Sequence, residues 1–208
     1  MQRLRSRIAA DLHDDLGSSL SRISILSEVA VRRLDDSADD SRKLISNIGQ
    51  SAREMIDATA DMVWSIDPRR DDLGSLVMRT RAFVGEVLDA RHVAWTLNAP
   101  IEASTIRLRS DQRRHLYLVI KEAVNNIAKH ADAANVRIEI QSHDGRLGVD
   151  IIDDGRGVPD SVLNGGAGAD EGNGLRNMSA RITELKGEFL IERSSPAGTA
   201  IRLTVPLH

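Results

Sequence analysis

His13 is followed directly by Asp14, inside the run Leu12-His13-Asp14-Asp15-Leu16-Gly17. A neutral imidazole can attack phosphorus at physiological pH, and an adjacent carboxylate can hold one ring tautomer while stabilising positive charge on the ring. Asp14 is placed to do that. Gly17 lies one turn further along the same helix face, where glycine costs about 1 kcal/mol relative to alanine. A clear approach to His13 accounts for that cost. The ordinary alternative is a surface histidine on a helix whose acidic residues interact with the helix dipole. The other histidines (His92, His115, His130, His143, His208) lack this setting.

A second set of chemically apt residues lies in the C-terminal two thirds. Glu122 and Asn126 stand four residues apart, which places them on one helix face, and Lys129 and His130 follow one turn on. Carboxamide and carboxylate oxygens suit Mg²⁺, and lysine and histidine suit phosphates; cations closing a helix dipole are the alternative. Asp153-Asp154-Gly155-Arg156-Gly157 follows an apolar strand. Its glycines, Gly155 and Gly157, permit close backbone approach, and a carboxylate there can accept the amino group of adenine; a plain β-turn reads the same way. Gly172-Asn173-Gly174-Leu175 opens a helix, a ready anion site or an ordinary Asn cap. Gly198-Thr199 precedes the last strand, where Thr199 can reach a nucleotide or simply favour the strand. Order and spacing make the set specific: acid–Asn helix, strand, Asp-x-Gly-x-Gly, loop, Gly-x-Gly-Leu helix, strand pair.

Two modules must position these groups. From Leu4 to Leu34 an apolar stripe through Ile8, Leu12, Leu16, Leu20, Ile23 and Ala30 predicts one long amphipathic helix. The acidic stretch Asp35 to Asp40 interrupts it. The stripe resumes as Leu44, Ile48, Ser51, Met55, Thr59, Met62 and Ile66, close to a heptad seam, until Pro68 forbids further helix. Two helices alone cannot enclose a core, so this hairpin is expected to pair with a second copy as a four-helix bundle, a homodimer. Trp64 is either a core aromatic or a residue of the junction between modules.

Beyond Pro68 the periods mix. The pattern predicts helices over about Gly74 to Asp89, Ser110 to Ala131 and Asn173 to Lys186. Strands are expected at Val93 to Leu97, Asn135 to Gln141, Leu147 to Asp153, Glu188 to Arg193 and Thr199 to Pro206. The expected class is α+β: a helical hairpin over residues 1–68, then an α/β unit over 69–208 with a mixed, largely antiparallel sheet.

Composition narrows the function classes. With 208 residues, 41% apolar, 28% charged and a formal net charge of -3, the chain gives no electrostatic reason to expect direct nucleic-acid binding. The absence of cysteine removes thiol nucleophiles, thiolate metal sites and disulfides. No apolar run approaches the roughly 20 residues that span a bilayer. Arg3, Arg5 and Arg7 read either as a solvated helix end or as residues flanking a membrane segment.

The second set of residues resembles the Bergerat ATP-binding fold (the GHKL group) shared by histidine kinases, gyrase, certain chaperones and mismatch-repair ATPases, with Glu122–His130, Asp153–Gly157 and Gly172–Leu175 as its three boxes. The first module resembles the dimerisation and histidine phosphotransfer domain, in the subgroup reading His-Asp-x-Leu-Gly. The resemblance covers nearly the whole chain. It implies the catalytic core of a two-component sensor histidine kinase: ATP-dependent phosphorylation of His13, with Asp14 as orienting base and Glu122 in the catalytic set. It further implies Mg²⁺ on Asn126, phosphate contacts from Lys129 and His130, the adenine amine on Asp153, and residues 158–173 as the ATP lid. A response-regulator receiver domain is the implied partner, a cytoplasmic site the implied location, and membrane attachment is expected only through upstream segments. One departure concerns dephosphorylation: the position five after His13, often Gln or His in this subgroup, is Ser18. The rival readings are a same-fold ATPase or serine kinase and a non-transferring dimeric nucleotide-binding scaffold; the pair His13-Asp14 argues against the first.

Overall fold

The computed structural model describes residues 71–159 and 172–207, together with helical positions between Ile23 and Trp64 (Ile23, Leu26, Val29, Ala30, Leu44, Ile45, residues 47–49, Ser51, Met55, Asp61 and Trp64). His13, Asp14, Gly17, Ser18, the acidic connection, Pro68 and residues 160–171 lie outside the described residues. The chain divides into two compact units, Met1–Trp64 and Ser65–His208.

In the first unit all described residues are helical. Leu44, Ile48, Ser51 and Met55 are buried or half-buried while Ile45 and Asn47 are exposed, so the predicted seam is the face turned from solvent. Burial also takes in Asp61 and Trp64, at 7% and 5% exposure, neither of them on the predicted seam. Trp64 therefore has the burial of a core aromatic.

The second unit runs α1 (Leu73–Asp89), β1 (Ala94–Asn98), α2 (Ser110–Asn126), β2 (Asn135–His143), β3 (Arg146–Asp153), α3 (Gly172–Glu184), β4 (Glu188–Arg193) and β5 (Thr199–Pro206). The five strands form one sheet in the order β1-β2-β3-β5-β4. Only β1 and β2 run parallel; the other three pairings are antiparallel. A parallel neighbour needs a crossover, and here α2 supplies it.

The strands alternate as a one-sided sheet requires. Val136, Ile138 and Ile140 on β2, Leu147, Val149 and Ile151 on β3, and Ile201, Leu203 and Val205 on β5 are buried, while their neighbours in sequence are mostly exposed or half-buried. Helix α2 presents Leu116, Val119, Ile120, Ala123 and Val124 to the core, and both α1 and α3 pack against it. Met178, Ile182 and Leu185 close the core beside α3. Each such large side chain contributes about 1.5–3 kcal/mol by leaving water.

Polar anchors set the ends of the helices. Asp72 caps α1 by accepting from the Ser75 backbone N–H at 2.7 Å. At the start of α2, Gln112 accepts from the Arg109 N–H at 3.0 Å and donates to the Pro206 carbonyl at 2.7 Å, tying the helix to the end of β5. Arg113, fully buried, donates to Asp71 at 2.7 Å. Apolar periodicity carries no signal for these polar contacts. Nor did it predict that α2 stops at Asn126, where the chain continues as a π-helical turn, Ile127–Ala131, before Asp132 ends it at φ 51°.

Candidate functional site

The C-terminal end of α2, the β3–α3 connection, the start of α3 and the ends of β4 and β5 enclose a cleft of about 680 Å³. Its wall includes Glu122, Asn126 and His130 from α2 and its π-turn, Asp153 and Gly157 from the end of β3, Gly174 and Leu175 from α3, and Thr199 from β5. Residues spread over 78 positions of sequence, from Glu122 to Thr199, thus share one cavity. Glu122 and Asn126 are half-buried; His130 is exposed at the rim. Lys129 is exposed and is not among the residues that line the cleft wall.

Asp153 is the most constrained polar group of the site, at 4% exposure. Burial pushes its carboxyl above the usual range, opposed by hydrogen bonds from the Gly155 N–H and from the backbone and side chain of Thr199. The Gly155 N–H reaches Oδ1 at 2.9 Å. A carboxylate held this way on a cleft wall is a fixed acceptor facing a cavity. Thr199, ambiguous in sequence, proves to be a direct partner of Asp153. Asp154 points elsewhere: it accepts from the Ala134 and Asn135 N–H groups at 2.9 and 2.8 Å and from the Asn135 side chain at 2.7 Å, binding the loop to the start of β2. Those bonds hold its carboxyl below the ordinary value.

The glycines of the second and third boxes serve three different approaches. A side chain at Gly155 would collide with the Ala131 carbonyl, which itself accepts from the Arg156 N–H at 2.8 Å, so this glycine packs the loop against the end of the π-turn. Gly157 adopts φ 77°, with the Gly198 carbonyl 3.0 Å from where a Cβ would sit. A side chain at Gly174 would run into the Glu122 carboxylate. The start of α3 is therefore pressed against the acid of α2. Gly172 begins α3.

The lining mixes apolar and polar side chains. Ile127, Val158, Ile191 and Ile201 supply apolar surface, and the oxygens of Glu122, Asn126 and Asp153 with His130 supply polar groups. That combination suits a planar heterocycle carrying an amino group and a phosphate chain. The hard oxygen donors fit Mg²⁺, which takes one or two protein ligands and otherwise keeps water and phosphate oxygens. Among the described residues there is no cluster of His, Asp or Glu able to hold a metal by itself.

Two family models match the chain: one described as histidine kinase over residues 5–71, and one described as histidine kinase-, DNA gyrase B- and HSP90-like ATPase over residues 111–208. Sensor histidine kinase MctS of Rhizobium johnstonii is 29% identical over 203 residues, covering 97% of this chain and 43% of the relative. The histidine-protein kinase/phosphatase UhpB of Salmonella typhimurium is 29% identical, covering 99% of this chain and 39% of the relative. The chain thus spans less than half the length of these two relatives. Among solved structures, the histidine kinase domain of Erythrobacter litoralis EL346 matches with a TM-score of 0.59 at 18% identity over 90% of this chain and 96% of that one. Acinetobacter baumannii AdeS matches with 0.60 at 16% identity, over 90% and 95%. These likenesses extend to the fold.

Proposed function

This chain belongs to the two-component histidine kinases, and from that premise we propose that it binds Mg-ATP in the cleft, phosphorylates His13 and passes the phosphoryl group to an aspartate of a response regulator. One observation carries the reading: acid, carboxamide, imidazole, buried carboxylate and two box glycines, far apart in sequence, line a single cavity together with apolar side chains.

Asp153 accepts the adenine amino group, fixed for it by Thr199 and Gly155. The Ile191 and Ile201 walls exclude water from the base. Glu122, Asn126 and His130 face the phosphate end, and Asn126 is the residue we assign to the cation. When bound, Mg²⁺ offsets negative charge on the phosphates. In the transfer, the bond from the γ-phosphorus to the ADP oxygen breaks as a phosphorus–nitrogen bond forms to the His13 ring, with Asp14 holding the proton on the other ring nitrogen.

Residues 1–68 are assigned to dimerisation and phosphotransfer and residues 69–208 to ATP binding, a boundary near the division of the two compact units. The heptad-like seam supports a homodimer, and the need for ATP and a receiver domain supports a cytoplasmic site. No described helix is long and apolar enough to cross a membrane. Dephosphorylation of the regulator stays outside the proposal, given Ser18. The test is incubation with γ-labelled ATP and Mg²⁺ followed by acid and alkali. Acid-labile, alkali-stable label that disappears in Asn126→Ala supports the reading; alkali-labile label would mark a serine kinase instead.

A further inference from the structure

Arg193 is the last residue of β4, and none of the sequence motifs includes it. In the antiparallel register of β4 and β5 it stands opposite Thr199, and two residues back Ile191 stands opposite Ile201. Successive side chains alternate across a strand, so both pairs project on one face. All four residues line the cleft. Arg193 thus sits at the Asp153 end, beside the hydroxyl that holds the buried carboxylate.

Its guanidinium also reaches the loop that follows the Gly157 turn. Arg193 Nε donates to the Val158 carbonyl at 3.4 Å, and Val158 and Pro159 form the wall that follows the Gly157 turn. That turn depends on a left-handed glycine, φ 77°, set against Gly198, itself at φ 105° and packed on the Asp153 carbonyl. A chain leaving such a turn has few fixed points. Pro159 has no N–H to contribute, so the Val158 carbonyl is one point at which this wall is tied to the sheet.

We propose that Arg193 is a nucleotide-positioning residue, acting through Val158 to fix the Val158–Pro159 wall of the base slot. This rests on the ATP-binding reading above. The residue works at the base end, so its contribution is the same whatever the number of phosphates. It improves binding without entering the transfer step, so KM moves and kcat does not.

Arginine, glutamine and methionine separate the candidate causes. Glutamine places an amide donor where arginine has Nε, without the charge; methionine keeps the stem and removes the donor. Isothermal titration of the whole chain with ADP and with a non-hydrolysable ATP analogue is measured for wild type, Arg193→Gln and Arg193→Met, with folding checked by circular dichroism. For Arg193→Met the expected result is a rise in Kd of about three- to tenfold, equal for both nucleotides. Arg193→Gln is expected to stay within about twofold of wild type, as one hydrogen bond retained implies. Wild-type affinity in the folded methionine variant overturns the inference. So does a loss confined to the triphosphate and shared by the glutamine variant, which would assign Arg193 to phosphate charge. A folded wild-type chain that binds neither nucleotide overturns the ATP reading itself, and this inference with it.

Discussion

Replacing Asp153 by Asn should move ligand affinity and protein stability in opposite directions. Burial raises the Asp153 carboxyl above its usual range, so between the unfolded value near 3.9 and the raised folded value the native protein holds the proton more tightly than the unfolded chain. Stability is therefore present at low pH and lost as pH rises through that window; at neutral pH the buried charge opposes folding. Asparagine keeps one oxygen for the Gly155 N–H and removes the charge, while its NH2 gives up one of the acceptor positions used by Gly155 and Thr199. The expected result is a higher Tm at neutral pH, a gain that fades toward the acidic range in which the wild-type carboxyl is itself protonated. The same change weakens the acceptor for the adenine amine. A hydrogen bond to a charged group is worth about 1.5–3 kcal/mol, so Kd for ATP should rise on the order of 10- to 100-fold. Differential scanning calorimetry across pH, with nucleotide titrations, reads both quantities. A drop in Tm at neutral pH, or unchanged ATP affinity, would refute the reasoning about this carboxylate.

Three further outcomes follow from the geometry. Gly174→Ala should weaken ATP binding about two- to tenfold, the cost of pushing the flexible Glu122 carboxylate off its rotamer, and Glu122→Ala should restore part of that loss; additive losses would contradict the contact. Gly155→Ala should cost about 2 kcal/mol or more in stability, read from urea midpoints, since its methyl meets the Ala131 carbonyl. His115 packs between α2 and α3, its Nδ1 at 3.1 Å from the Arg181 carbonyl, and desolvation by burial lowers its pKa. The unfolded chain then binds the proton more readily, so stability is lost as pH falls below about 6.5; His115→Gln should flatten the fall of Tm in that range, and an unaltered slope would count against it.

The sheet strands and the two longer helices of the second unit were legible because each carries a strong period. Asn135–His143 and Arg146–Asp153 alternate cleanly, and Asp144-Gly145 supplies the turn between them. The π-turn was not legible: Ile127–Ala131 looks like one more turn of α2, and only the three-dimensional register turns His130 inward and Lys129 outward. Glycine spacing pointed to the right loops but not to the reasons. Gly174 reads as room for an anion, and the structure sets it against Glu122. Thr199 was ambiguous beside Gly198 and Arg193 lay in no motif; strand pairing, a property of the folded chain, brings them to Asp153 and Val158.

The most direct measurement of the central claim is transfer from γ-labelled ATP to the chain in the presence of Mg²⁺, comparing wild type with His13→Gln. Acid-labile, alkali-stable label on the wild type and none on the folded, ATP-binding variant is the predicted result. Label of unchanged amount on His13→Gln, or alkali-labile label on the wild type, would contradict phosphorylation of His13.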